Sequence, residues 1–249
     1  MKEITLLVFA ILLIGCDPYG DIMNINGTKL LSITYKQDKE KWVEDFEYDS
    51  LDRLVKVSDM QEVTGRVYTI EYDDERIVKV RKYDLDDGTE IYRDSFVYTP
   101  GGLMEKDFFI NSKTGIAESA YEYEYDSTGV LSVKKFVSFN PLEYLSYDKY
   151  YWENGNVVRA EEFDANWNLL YEFFYEYDNK INYSSILPYL IFEPLSRNKN
   201  NVTKSSWNDY NGDLDIICNP CITKYDYNLD GFPIKILQEG KRKLELKYQ

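Results

Sequence analysis

Histidine is absent from the 249 residues. Its absence excludes a Ser-His-Asp triad, a Cys-His dyad and a histidine-ligated zinc. Basic residues are scarce: 29 Lys+Arg face 44 Asp+Glu, a formal charge of −15. Such a chain repels phosphate backbones, which excludes nucleic acid as a partner. Glycine and proline are few, at 13 and 7, whereas tyrosine occurs 24 times. The apolar fraction of 44%, with 16% aromatic, is too high for a disordered chain. The length allows one large domain or two small ones. No residue pattern implies a cofactor.

Long apolar runs are also missing, except at the start. Ile4 to Ile14 carries no charge and follows Lys2. As a helix it spans about 16 Å, roughly half a bilayer core, so it fits a secretory signal better than a transmembrane helix. The run ends Leu13-Ile14-Gly15-Cys16. This box resembles that of bacterial lipoproteins, and the resemblance implies cleavage before Cys16 and lipidation of Cys16. Residues 1–15 then form the signal peptide. Residues 16–27, rich in turn formers, form a tether, and 28–249 form a single domain. Several acyl chains would anchor it stably, at about 0.8 kcal/mol per buried CH₂. The expected location is the cell envelope, at the outer membrane. Asp17 after the cysteine resembles a retention signal that operates in some enterobacteria only, and carries little weight.

The body is repetitive. Tyr48, Tyr72, Tyr98, Tyr125, Tyr151 and Tyr177 are spaced 24, 26, 27, 26 and 26 apart, and Tyr227 follows after 50. Around them recurs the pattern aromatic-x-Tyr-Asp-x-x-Gly-x-aliphatic-x-Lys. Segments such as Tyr121-Glu122-Tyr123-Glu124-Tyr125 alternate as half-buried strands do. Asp126 to Gly129 then reads as a turn, with glycine supplying positive φ. Gly102, Gly155 and Gly231, and Asp52, hold the same place. Each repeat therefore predicts two strands and two turns. The acid before the turn and the base after it (Glu47 and Lys56, Glu71 and Lys79, Glu124 and Lys134) are expected to pair on the wet face.

The sum is an all-β antiparallel meander of about 14–16 strands. So wide a sheet should curl or close into a barrel. Outward Glu and Lys argue against a membrane-spanning barrel. Residues 180–201 break the rhythm, and Pro188 and Pro194 limit them to a short helical insertion capping one end.

The Tyr-Asp-x-x-Gly array resembles the YD repeats of Rhs-type proteins. The lipobox, the array, the LSRN…NNVTK element and the terminal YDYNLDGFPIKI strand together resemble an uncharacterised family of Bacteroidetes lipoproteins with a porin-like fold. That resemblance implies a barrel-like meander in the envelope and supplies no catalytic residues.

Several constellations invite chemistry. Cys218-Asn219-Pro220-Cys221 leaves two thiols once Cys16 is lipidated, and outside the inner membrane they are expected as a disulfide. Asp209, Asn211, Asp213 and Asp215 alternate like a calcium loop. Glycine falls at position four rather than six and Pro220 replaces the twelfth-position Glu, so a polar loop is the expectation. Trp42, Trp152, Trp167 and Trp207 are candidates for stacking on sugar rings, with core packing as the competing role. Ser50 and Ser127, in Asp-Ser-Leu and Asp-Ser-Thr, match an O-glycosylation acceptor pattern of Bacteroidetes. The functional expectation is a non-enzymatic, lipid-anchored envelope protein that binds glycan on an aromatic β surface. The alternatives are an assembly factor contacting another envelope protein and, third, a hydrolase using two carboxylates.

Overall fold

The computed structural model describes residues 28–37, 40–60, 65–186, 194–212, 218–239 and 242–249. Sixteen strands follow one another antiparallel, and the sheet closes where β1 (Leu30–Gln37) pairs with β16 (Arg242–Tyr248). Between them run β2 (Glu40–Tyr48), β3 (Leu54–Met60), β4 (Arg66–Asp73), β5 (Arg76–Asp84), β6 (Glu90–Tyr98), β7 (Met104–Asn111) and β8 (Ala117–Tyr125). The second half contains β9 (Leu131–Phe139), β10 (Leu142–Glu153), β11 (Asn156–Asp164), β12 (Leu169–Ile181), β13 (Asn200–Asp209), β14 (Cys221–Tyr227) and β15 (Pro233–Gln238). The expected meander is present, and closure removes every sheet edge.

Alternation along the strands decides which face lies inside. Phe46, Val57, Tyr68, Ile70 and Val80 occupy one face through the registers of β2 to β5, and Phe46, Val57, Ile70 and Val80 belong to the buried core. The opposite face carries charge. Glu47 meets Lys56 at 2.6 Å, Glu71 meets Lys79 at 3.1 Å and Arg81 at 2.8 Å, and Lys106 meets Glu122 at 2.8 Å. A lipid-facing wall needs an apolar band about 25 Å tall, and this outer wall carries ion pairs instead. Each pair is at least partly exposed and small in effect. Glu47→Ala should therefore cost under about 1 kcal/mol in urea unfolding, and less at 1 M salt.

One expected pair is different. Glu124 is joined by Lys135, whereas Lys134 turns inward to Asp148, 3.4 Å away. Glu124 faces Val133 across the ladder, so by alternation Lys134 points inward and Lys135 outward; the bulge at Glu124/Tyr125 also occurs at Glu47/Tyr48 and Glu71/Tyr72, where the expected pairs form.

The repeated tyrosines have a specific task. Tyr48, Tyr72, Tyr98 and Tyr125 donate their hydroxyls to the carbonyls of Leu30, Leu54, Ile77 and Met104, at 2.9, 2.7, 2.7 and 2.7 Å. Trp152 Nε1 donates to Leu131 O at 2.7 Å, and Tyr177 to Val157 O. Tyr225 and Tyr248 donate to Val202 O and Pro233 O at 2.8 and 2.9 Å. Every even strand thus reaches the start of the odd strand before it. The reason is stagger. The β3–β4 ladder begins at Lys56–Thr69 and the β5–β6 ladder at Lys79–Ser95, which leaves Leu54 and Ile77 outside them. A buried carbonyl needs a donor, and the hydroxyl supplies one. Burial holds Tyr48 and Tyr98 up at about 12, so these hydroxyls keep their protons. The anchor of the fifth repeat is Trp152 rather than Tyr151. Adjacent residues of a strand face opposite sides, so Tyr151 points outward, where its hydroxyl donates to Glu161. In the last repeat Tyr225, rather than Tyr227, closes the ring.

Among its described residues the insertion contributes two 3-10 turns, Tyr183–Ile186 and Pro194–Arg197. Asparagines hold it at the ring end of the barrel. The fully buried Asn198 accepts from Val157 N at 2.7 Å and donates to Tyr177 OH at 2.9 Å. Asn182 Nδ2 donates to the carbonyls of Leu195 and Asn198, both at 3.1 Å. Asn156 and Asn200 pair with each other. These bonds account for the asparagine-rich LSRN…NNVTK element.

Candidate functional site

The ring end is apolar inside. The other half of the interior is polar. Its lining includes Glu44, Asp59, Lys82, Asp94, Asp107, Lys134 and Asp148, which the strand registers bring to the inner face. Lys82 lies 5.0 Å from the Tyr92 ring and Lys134 lies 4.4 Å from the Tyr121 ring. One carboxylate oxygen of Asp94 and one of Asp107 are buried without a hydrogen-bond partner among the described residues. Burial raises both acids, Asp94 to about 7 and Asp107 to about 8, and the neighbouring Asp94 raises Asp107 further.

Three of the four candidate tryptophans belong to this interior. Trp42 stacks on Tyr35 with centroids 5.1 Å apart, beneath Arg242. Trp152 is a member of the hydrogen-bonded ring. Trp207 faces inward opposite Phe173, and its carbonyl accepts from Asn219 Nδ2 at 2.6 Å. Packing, not display, is their role, which restricts the sugar-stacking expectation to Trp167.

Trp167 stands on the outer wall, 45% exposed, at the end opposite the tyrosine ring. It lies on Tyr147 with centroids 4.0 Å apart and planes 19° apart. That contact covers one face of the indole, and the Lys149 ammonium lies over the ring, 5.0 Å from its centroid. Phe163 flanks it at 5.6 Å, and Tyr144 extends the aromatic row, 5.7 Å from Tyr147. The row is outward because Tyr147 pairs with Phe163 and with Lys135, both on the charged face.

The backbone under Trp167 is unusual. Its φ is +65°, a region that bulky side chains avoid at a cost of about 1–3 kcal/mol. The turn is the one the repeat builds around Gly129. Gly129 N donates to Asp126 O at 3.1 Å, and Asp126 Oδ1 accepts from Thr128 N and Val130 N. Likewise Trp167 N donates to Asp164 O at 3.1 Å, and Asp164 Oδ1 accepts from Asn166 N and Asn168 N. Phe163-Asp164-Ala165-Asn166-Trp167 is therefore the aromatic-Asp-x-x-Gly turn with tryptophan in the glycine position. That substitution is visible in the sequence once the repeat is read at the second set of turns.

An apolar stripe runs beside the platform. Phe108, Ala120, Val137 and Tyr144 are successive cross-strand neighbours on the outer face. Ile116 and Leu142 stand near its end, 64% and 77% exposed.

The remaining candidates are scattered. Ser50 and Ser127 are exposed at hairpin tips of the ring end. Cys218 and Cys221 are disulfide-bonded, with Cα atoms 5.0 Å apart. Asp209 accepts from the amides of Asn211 and Gly212, whereas Asp213 and Asp215 lie outside the described residues. Among the described residues no group of three or more acids or cysteines is placed to hold a metal. Cys16, the signal peptide and the tether also lie outside them.

Neither a family model nor a curated protein matches the sequence. The chain is similar in structure to a porin-like protein from Bacteroides uniformis, with a TM-score of 0.60 and 12% identity over 88% of this chain and 96% of that one. A porin-like protein from Bacteroides vulgatus gives 0.47 and 12%, over 88% and 98%. At this identity the first likeness establishes a common fold.

Proposed function

We propose that this chain is a non-enzymatic, lipid-anchored protein of the bacterial cell envelope that binds glycan on the outer wall of its barrel through Trp167. The single observation that carries the reading is a half-exposed tryptophan, stacked on Tyr147, in a backbone conformation that tryptophan disfavours. Strain of that kind persists where the surroundings enforce it, and it concentrates at binding sites. A part-exposed indole is a surface on which a sugar ring packs its C–H groups.

The envelope reading rests on the lipobox and on the charged outer wall, which suits a barrel held at a membrane by lipid rather than immersed in it. Membership of the YD-repeat lipoprotein family accords with the repeat and with the fold shared with the B. uniformis protein. Strand β1 begins at the ring end, and the platform lies at the far end. The exposed serines Ser50 and Ser127 are proposed glycan attachment sites on the ring-end tips.

The test is a glycan array with the full-length protein in detergent, followed by titration monitored through tryptophan fluorescence. Trp167→Asn keeps a residue that tolerates the left-handed region while removing the platform. It should weaken binding by about tenfold or more, equivalent to about 1.4 kcal/mol, whereas Trp42→Phe should leave affinity unchanged. Binding that survives Trp167→Asn would overturn the reading.

The apolar stripe favours a second reading, a protein partner from the envelope. In that case a stoichiometric partner would co-purify and be lost on Leu142→Glu or Ile116→Glu.

A further inference from the structure

Beside the platform stands a lysine without an acid. Lys149 Nζ lies 5.0 Å from the centroids of both the Phe163 and the Trp167 rings. Its cross-strand neighbour Glu161 is engaged elsewhere, by the guanidinium of Arg159 and the hydroxyl of Tyr151. Asp148 points inward to Lys134. Asp164 is committed to the donors of its own turn, Asn166 N, Asn168 N and Asn168 Nδ2. Among the described residues, therefore, no carboxylate pairs with Lys149. Its neighbour Lys135 differs, since Glu124 takes its ammonium.

We propose that the Trp167 platform recognises an acidic sugar of the hexuronate class, with the pyranose ring on the indole and its carboxylate on Lys149. The proposal rests on the glycan reading and narrows it. An ammonium held at a ring by cation–π attraction keeps unused donors. A carboxylate that arrives with its sugar ring already stacked gains a charge-assisted bond without ordering a long side chain first. The chain's charge of −15 does not forbid this. At physiological salt, charges beyond about 8 Å are largely screened, and the cross-strand acid Glu161 and the turn acid Asp164 are already bonded.

The experiment compares hexuronate oligosaccharides with their methyl esters, which keep the ring shape and mask the carboxylate. The full-length protein in detergent is titrated with gluco-, galacto- and mannuronate series, by tryptophan fluorescence. At least one acid should bind at least tenfold more tightly than its ester, and the advantage should shrink as salt is raised. Lys149→Gln should abolish the preference, so that acid and ester bind the variant with equal affinity. Trp167→Asn should weaken acid and ester alike. Acid and ester binding equally, or only neutral glycans binding in a Trp167-dependent way, would overturn the acidic-sugar proposal and leave the platform intact. If no glycan binding depends on Trp167, both fall.

Discussion

Replacing Tyr98 by alanine should destabilise the barrel by about 3–5 kcal/mol, the range for emptying a large aromatic site in a packed core. Two separate losses add up in that value. The ring lies in the buried layer with Phe96 and Met104, and its hydroxyl is the donor to Ile77 O, 2.7 Å away. Tyr98→Phe isolates the second loss. It keeps the ring and orphans a buried carbonyl that lies outside the ladder, which should cost about 1–3 kcal/mol. Tyr144→Phe is the control. Its hydroxyl bonds an exposed Glu122 on the outer wall at 3.2 Å, so it should change stability by under about 0.5 kcal/mol. Urea unfolding of the four proteins gives the comparison. Equal costs for Tyr98→Phe and Tyr144→Phe would mean that the tyrosine ring is not a structural device.

Asp107→Asn should stabilise the protein at alkaline pH and do little at acid pH. Asp107 is 1% exposed, and burial, then the adjacent Asp94, raise it to about 8, against the opposing pull of Lys134. Asp94 is raised to about 7 by burial, against the pull of Lys82. Unfolded, a carboxyl titrates near 4. Between about pH 4 and 8 the folded state therefore holds more protons than the unfolded one. Stability contributed by these acids is complete below about pH 4 and falls as pH rises toward 8.

Removing the ionisable group removes that slope. The variant should gain about 1–3 kcal/mol at pH 8.5. In a chain of this size each 1 kcal/mol corresponds to about 2–4 °C in Tm. At pH 5 the gain should be much smaller, because only the first pH unit of that slope has been lost there. Measurements belong above pH 5, because Glu245, lowered to about 2 by Lys243 and Lys36, and the turn aspartates Asp126 and Asp164, lowered by hydrogen bonds, act in the opposite sense in acid. A gain equal at both pH values would show that Asp107 does not titrate in this range.

Much of this architecture is readable before folding. Strict alternation in Tyr121 to Tyr125 marks a half-buried strand, and a period near 26 counts the hairpins. The aspartate that opens each turn and the glycine that closes it are local devices, so their positions follow from chain chemistry alone. Even the inward aromatic and outward charged faces follow from the hydrophobic effect acting on alternation. Which of two adjacent residues faces inward is not readable in the same way. Lys134 and Lys135, like Tyr151 and Trp152, are neighbours on one strand and point to opposite faces, and cross-strand pairing decides which is which.

The candidate site was less legible. Four tryptophans are equivalent in the sequence, and only the direction of each strand separates Trp167 from the three that pack inside. The solitary state of Lys149 depends on Glu161 being occupied by Arg159, which is a matter of neighbours across strands. Sequence alone thus determined the strands, their number, the turns and the absence of histidine chemistry, because these depend on short-range preference and on counting. Tertiary structure alone decided the closure of β1 on β16, the ring of buried hydroxyls, the paired acids within the wall and the aromatic platform outside it. Each of those depends on stagger between strands, which sets which side chains meet at a distance of many residues.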